Sequence, residues 1–206
     1  YKDLEFGTAG LRGKIGAGTN RMNNYTVSLA TEGLAKTIIN HGKEAMERGV
    51  AIAYDVRLYS DRFAEIAARV LAANNIKVYL FDDIRPSPFV SYAIRKLNAI
   101  AGIMITASHN PKDYNGFKVY SEKGSQILED VADQISSEMD LMLKSSLGNI
   151  IDLGEDTSSG KVNILSDDID EFYYKDLLNL KINDDIDKSI KVVYSPLSGT
   201  GNVPVR

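Results

Sequence analysis

The stretch Thr-Ala-Ser-His-Asn-Pro-Lys-Asp-Tyr-Asn-Gly-Phe-Lys, residues 106–118, decides how the rest of the chain is arranged. It follows the apolar run Ala-Gly-Ile-Met-Ile-Thr-Ala at 101–107, a pattern expected of a parallel strand buried on both faces. Regularity then stops. Pro111 offers no amide donor and fixes its own backbone. Asn115 and Gly116 form a turn pair, and Phe-Lys-Val-Tyr at 117–120 resumes as a strand. Ser108 therefore stands in a polar loop at the carboxyl end of a strand, with Lys118 brought back beside it. In open α/β sheets ligands bind at that end.

Outward from this stretch, strands and helices alternate. After the caps Asn23 and Asn24, Val27, Ala30, Leu34 and Ile38 repeat at helical spacing, and Gly42 interrupts the helix before it resumes to Arg48. Val-Ala-Ile-Ala-Tyr at 50–54 is a strand that ends in Asp55-Val-Arg57. Ser60 caps a helix whose apolar face is Phe63, Ile66, Ala67, Val70 and Leu71. A strand at 77–81 follows, and Ser87 with Pro88 opens a short helix toward Leu97. A helix at 128–144 closes the unit. Such alternation builds βαβ units, so the expected fold is α/β: a layered αβα domain around a mainly parallel, mixed sheet. Right-handed crossovers gather the strand ends 55–57, 82–87 and 108–118 along one edge.

The flanks are plainer. Residues 5–19 hold five glycines and are expected to be a loop. Residues 1–147 make the first domain, and the polar, turn-rich residues 148–161 a linker. Residues 168–180 have helical spacing, 190–194 restart the strand pattern, and Pro-Leu-Ser-Gly-Thr-Gly-Asn at 196–202 is a turn. Residues 162–206 are thus expected to begin a second, similar α/β domain that is cut short. The chain starts at Tyr1 and not at Met, as an excised segment would.

Composition removes several function classes. At 206 residues, 44% hydrophobic and 25% charged, the chain is that of an ordinary globular protein with a sizeable core. A formal net charge of −4 is too mild to imply nucleic acid or an anionic membrane as partner. The absence of cysteine excludes disulfides, thiolate zinc sites and thiol nucleophiles, and fits the reducing cytoplasm. No apolar run approaches the ~20 residues of a membrane span. The expected partner is a small molecule; oligomeric state is not readable.

A serine hydroxyl needs an activator. A hydrolase built on Ser108 and His109 fits poorly, because adjacent side chains in extended backbone point apart and the G-x-S-x-G elbow is absent. A serine that carries a phosphoryl group explains its neighbours better. Phosphoserine brings about −1.5 to −2 charge and three acceptor oxygens. Lys118, Arg12 and the backbone amides around Gly10 and Gly13 are the groups such a charge requires. Read from spacing alone, the alternative stays open: a polar turn at Ser108, a solvated Lys118, and Asp55 with Arg57 as a surface ion pair.

Together these pieces resemble the α-D-phosphohexomutase family, the phosphoglucomutases and phosphomannomutases. Thr-Ala-Ser-His-Asn-Pro at 106–111 resembles its phosphoserine loop, with Asn-Gly-Phe-Lys at 115–118 as the continuation. Phe-Gly-Thr-Ala-Gly-Leu-Arg-Gly at 6–13 is similar to its amino-terminal motif. Tyr-Asp-Val-Arg at 54–57 with Ser60 resembles the motif after its second strand, and Pro-Leu-Ser-Gly-Thr-Gly at 196–201 the opening of its second domain. The resemblance implies an isomerase that interconverts hexose 1-phosphate and hexose 6-phosphate through a phosphoserine and a bisphosphorylated sugar, glucose being the favoured sugar. Phosphomannose, phosphopentose or phosphoglucosamine as the substrate, or a non-catalytic phosphosugar-binding module that keeps the fold, are the alternatives. It implies Ser108 as phosphoryl carrier and, through its phosphate, a magnesium ligand. Lys118 and Arg12 would assist proton transfer and charge stabilisation, with His109 beside them. Thr8, Gly10, Arg12, Asn110 and Lys118 would bind substrate phosphate, and Asp55 and Arg57 would support the loop. Mg2+ and a glucose 1,6-bisphosphate activator come with it. The family's Asp-x-Asp-x-Asp-Arg metal loop is not found here; the Asp168/Asp170 and Asp185/Asp187 pairs have the wrong context. Its sugar-selecting and distal phosphate loops are also missing, so this segment alone is expected to be nearly inactive.

Overall fold

The computed structural model describes residues 3–145, 160–183, 185–187 and 189–205. Its elements are β1 (Leu11–Lys14), α1 (Asn24–Asn40), α2 (Lys43–Arg48), β2 (Val50–Tyr54), α3 (Ser60–Ala73), β3 (Val78–Phe81), α4 (Ser87–Lys96), β4 (Ala101–Ile105), β5 (Tyr114–Ser121), α5 (Glu129–Ser145), β6 (Val162–Leu165) and α6 (Asp167–Asn179). One sheet runs β1-β5-β4-β2-β3-β6. The pairs β2–β3, β2–β4 and β3–β6 are parallel, while β5 is antiparallel to both β4 and β1. The mixed, mainly parallel αβα arrangement expected from the alternation is therefore present.

Side-chain alternation along the strands divides the core in two. Val50, Ile52, Ile103, Ile105, Phe117 and Val119 point to one face, where α1, α3 and α5 cover them. Ala51, Ala53, Met104 and Tyr120 point to the other, beneath α4 and α6. Burial on both faces is why β2 and β4 read as unbroken apolar runs. No helix among the described residues is long and apolar enough to cross a membrane.

Several local expectations change. The glycine-rich 5–19 segment contains a strand, because Leu11–Lys14 finds a partner in β5. Ser60 does not cap α3: Tyr59 holds the N-cap position, and the Ser60 hydroxyl donates to Asp55 instead. Pro86 takes the N-cap position of α4 in place of Ser87. Asn115 and Gly116 are not a turn but lie inside β5, with Arg12 opposite Gly116 and Gly13 opposite Asn115. A Cβ on Gly116 would sit 2.6 Å from the Thr106 carbonyl oxygen and 2.9 Å from that of Leu11, so glycine lets three chain segments close up. The reversal falls earlier, where the Tyr114 amide donates to the Pro111 carbonyl.

The carboxyl-terminal part differs most from expectation. The linker at 148–161 lies largely outside the described residues. β6 pairs with β3 as the outermost strand of the first sheet, and α6 packs Tyr173 and Tyr174 on Phe89 of α4 at 4.4 and 5.8 Å between ring centroids. Residues 162–179 thus extend the first unit, where the sequence places the start of a second. Residues 190–194 form no strand, and Ile190, Val192 and Val193 are exposed. Among the described residues no strand pairs with them, and an unpaired strand has no ladder to hold it.

Candidate active site

The sheet delivers the expected strand ends to one place. A cleft of about 880 Å3 is lined by Asp55 to Leu58 after β2, Pro86 to Pro88 after β3, and Thr106, Ser108, Asn110, Lys112 and Asp113 after β4. Ser198, Gly199 and Thr200 also line it. This is the carboxyl edge of the parallel strands, where helices turn away and leave a crevice.

Ser108 is exposed and has φ 57, a left-handed conformation that costs a non-glycine residue about 1–2 kcal/mol. Its neighbours enforce it. The Ser108 amide donates to Thr106 Oγ1 at 2.9 Å, and that hydroxyl donates to Asp55 Oδ2 at 2.5 Å. Asp55 Oδ1 accepts from the Arg57 amide at 3.0 Å and from Ser60 Oγ at 2.9 Å. Arg57 then folds its guanidinium over the loop. Nη2 donates to the carbonyls of Ser108 and Asn110 at 2.6 Å each, and Nη1 to those of Pro111 and Tyr114 at 2.9 and 3.0 Å. Its Nε lies 3.6 Å from Asp55 Oδ2. Buried Asn115 completes the scaffold by donating to Leu58 O and Ser60 Oγ at 3.0 Å each. Asp55 and Arg57 are thus not a solvated surface ion pair: the guanidinium joins four loop carbonyls to one carboxylate.

Arg12 stands on β1 and Lys118 on β5, both flanking this loop. Arg12 Nη1 donates to Asn110 Oδ1 at 3.0 Å. Lys118 lies opposite Met104 in the β4–β5 ladder and is half-buried. Burial lowers its pKa, the Arg12 charge lowers it further, and Asp55 acts in the opposite direction. Gly10, at φ +74, brings its backbone against β5: a Cβ there would meet Phe117 O at 1.9 Å and Lys118 Cα at 2.9 Å. Thr8 is exposed in the turn between Gly7 and Gly10. The His109 ring nitrogen Nδ1 is 3.5 Å from Ser108 Oγ, long for a hydrogen bond. Because Ser108 is left-handed and not extended, the two side chains lie closer than the extended backbone expected from the sequence would bring them.

Of the expected site residues, Ser108 and Asn110 line the cleft. Arg12 reaches Asn110, Lys118 lies where the charges of Arg12 and Asp55 act on it, and Gly10 packs against Lys118. Arg12, Lys118, Gly10, Thr8 and His109 are not among the residues that line the cleft. The structure gives a place in the site to residues to which the sequence assigned none: Thr106 and Asn115 in the scaffold of the loop, and Lys112 at the cleft. Lys112 is an exposed cation on the cleft rim. Of the acidic pairs, Asp170 is committed to Arg85 at 2.8 Å, and Asp187 accepts from Ser189. Among the described residues no three His, Cys, Asp or Glu side chains converge where they could hold a metal ion.

Residues 3–143 match Phosphoglucomutase/phosphomannomutase, alpha/beta/alpha domain I. A phosphoglucomutase of Staphylococcus epidermidis is 41% identical over 202 residues, covering 98% of this chain and 36% of its own length. A phosphopentomutase of Mus musculus is 36% identical over 211 residues, covering 97% of this chain and 33% of its own. The chain thus spans about a third of the length of these relatives. A solved structure from Thermus thermophilus, assigned as a phosphomannomutase, superposes with a TM-score of 0.67 at 27% identity, covering 86% of this chain and 36% of that one. A match over most of the αβα unit, on the elements that hold the serine loop, makes the chain a member of the phosphoglucomutase/phosphomannomutase family.

Proposed function

We propose that the protein bearing this chain is a phosphosugar mutase that interconverts a hexose 1-phosphate and a hexose 6-phosphate, with Ser108 as the phosphoryl carrier and glucose as the sugar. The observation that supports it most is the clamped loop: Ser108 is exposed where it lines a cleft, Arg12 bonds Asn110 of the same loop, and Lys118 lies within reach of the Arg12 and Asp55 charges.

The chemistry follows from those groups. In the forward step the bond between phosphorus and Ser108 Oγ breaks while one forms to a sugar hydroxyl oxygen. That hydroxyl loses its proton, and Lys118, with its pKa lowered, is suited to accept it. Arg12 and Lys118 offset charge on the transferring group. The bisphosphorylated sugar turns over and returns its other phosphoryl group to Ser108 Oγ, with the proton moving back. Thr8, Gly10 and Asn110 would contribute donors to substrate phosphate, with His109 beside Ser108. Magnesium is the expected metal; the phosphate on Ser108 would help to hold it, and it would offset charge on the transferring group. The remaining substrate grip is absent from this chain, so the segment by itself is nearly inactive. The cytoplasm is the expected compartment. The likeness to a mouse phosphopentomutase supports phosphopentose as an alternative substrate, beside phosphomannose and phosphoglucosamine.

Intact mass and phosphopeptide mapping of the full-length protein test this, before and after glucose 1,6-bisphosphate and magnesium. One phosphate gained on Ser108, then lost to glucose 1-phosphate or glucose 6-phosphate, is the expected result. No phosphate on Ser108 under any of these conditions would sink the mechanism.

A further inference from the structure

The cleft has two walls of different chemistry. One carries charge: Asp55, Arg57, Lys112 and Asp113 line it beside Ser108. The other is the turn that supplies Ser198, Gly199 and Thr200. That turn is internally tied. The Gly199 amide donates to Pro196 O at 2.8 Å, the Leu197 amide donates to Ser195 Oγ at 3.3 Å, and Leu197 has φ 50. Ser198 is exposed and Thr200 half-buried, and both line the cleft.

Residues 195–202, Ser-Pro-Leu-Ser-Gly-Thr-Gly-Asn, include no cation and no acid. A phosphate binds where cations offset its charge, and the cations stand on the Ser108 wall. The second wall offers hydroxyls, each one donor and two acceptor lone pairs, and a glycine backbone that a ligand can approach closely. A sugar ring also presents groups that donate and accept at once. The cleft volume, about 880 Å3, falls within the range of small-molecule sites and can hold a sugar with its phosphate.

We propose that the 198–200 turn is a sugar-contacting wall, on which Ser198 and Thr200 hydrogen-bond ring hydroxyls of the molecule whose phosphate faces Ser108. This rests on the mutase function proposed above and assigns this chain a part in gripping the carbohydrate as well as the phosphoryl group.

The test uses the full-length protein with Ser198→Ala, Thr200→Val and Thr200→Ser. Turnover of glucose 1-phosphate and of ribose 1-phosphate is measured, together with inhibition by inorganic phosphate and with melting temperature as a check on folding. Losing one such hydrogen bond should raise KM about fivefold for Ser198→Ala and for Thr200→Val. Turnover at saturation and inhibition by phosphate should hold at wild-type values, and Thr200→Ser should restore KM. Unchanged KM in an active protein overturns the assignment and leaves the mutase function standing. Phosphate inhibition weakened by the same factor as KM also overturns it, making this wall a phosphate grip. Wild-type protein without turnover or phosphate on Ser108 removes the mutase function, and the assignment with it.

Discussion

Lys118 carries a cost at neutral pH that its proposed task requires. Burial and the Arg12 charge lower its pKa in the folded chain. The folded state therefore binds this proton less tightly than the unfolded chain, whose lysine titrates near about 10.4. The deficit is full below the lowered pKa, and stability is regained as pH rises from there toward the unfolded value. Lys118→Met, of similar length and uncharged, is expected to raise the melting temperature of this chain at pH 7 by about 2 °C. It should also abolish phosphoryl transfer by the full-length protein. The thermal gain should shrink as pH approaches the ordinary lysine range; an equal or lower melting temperature at pH 7 would count against the burial argument. Gly10 tests the same corner from the backbone side. With φ +74 and Phe117 O only 1.9 Å from any added Cβ, Gly10→Ala should lose about 2–3 kcal/mol in a urea titration. At this scale the sequence was informative where a residue's own chemistry mattered, as at Ser108, Arg12 and Lys118. For Arg57 it gave, through the resemblance alone, a support for the loop. Which four carbonyls the guanidinium holds was not legible, because they are backbone atoms and have no signature in residue types.

Between elements, Arg57 and Asp55 convert the end of β2 into a brace for the loop after β4. Removing the guanidinium leaves the carbonyls of Ser108, Asn110, Pro111 and Tyr114 without that donor set, and leaves Asp55 without its cation. Arg57→Ala should cost about 2–4 kcal/mol, since hydrogen bonds to a charged group outweigh neutral ones. Hydrogen exchange should accelerate at the amides of Ser108 and Asn110 while β2 and β4 keep their protection. Equal acceleration throughout the sheet would mean a general loss of stability and no brace. The same region shows why local signals mislead. Asn-Gly is a strong hairpin pair, yet Asn115 and Gly116 lie in a strand. Their place is decided by Leu58 and Ser60, which receive the Asn115 amide, and by β1, which needs Gly116 bare. All of these are more than fifty residues away. The apolar run at 190–194 misleads in the opposite way. Its β-propensity is real, but propensity without a partner strand does not make a sheet.

Across the whole molecule, the described unit is closed by a buried ion pair that sequence alone could not place. Arg85 follows β3, just before the cleft-lining Pro86, and its amide donates to Tyr54 O at 3.0 Å. Its side chain bonds Asp170 of α6 at 2.8 Å and Asp82 at 3.1 Å. Asp170 is 6% exposed, and its Oδ1 is buried without a hydrogen-bond partner. Burial raises its pKa, more than Arg85 lowers it, and Asp167 and Asp82 add to the rise. A carboxyl whose folded pKa exceeds its unfolded value contributes most below the unfolded pKa, and that contribution is lost as pH rises through the folded one. At neutral pH the ionised group therefore depends on Arg85. Arg85→Met should cost about 3–5 kcal/mol at pH 7, because it strands a buried charge. Its deficit relative to wild type should narrow on acidification, as Asp170 takes up a proton and no longer needs the cation. Arg85→Met combined with Asp170→Leu should be less destabilised at pH 7 than Arg85→Met alone, and should lose the narrowing, because the titrating group is gone. Chemical denaturation of the three chains between pH 4 and pH 7 would read this directly. A deficit in Arg85→Met that stays constant with pH, or a double variant no better than the single, would show that α6 is held by the packing of Tyr173 and Tyr174 on Phe89 and owes nothing to the pairing of charges.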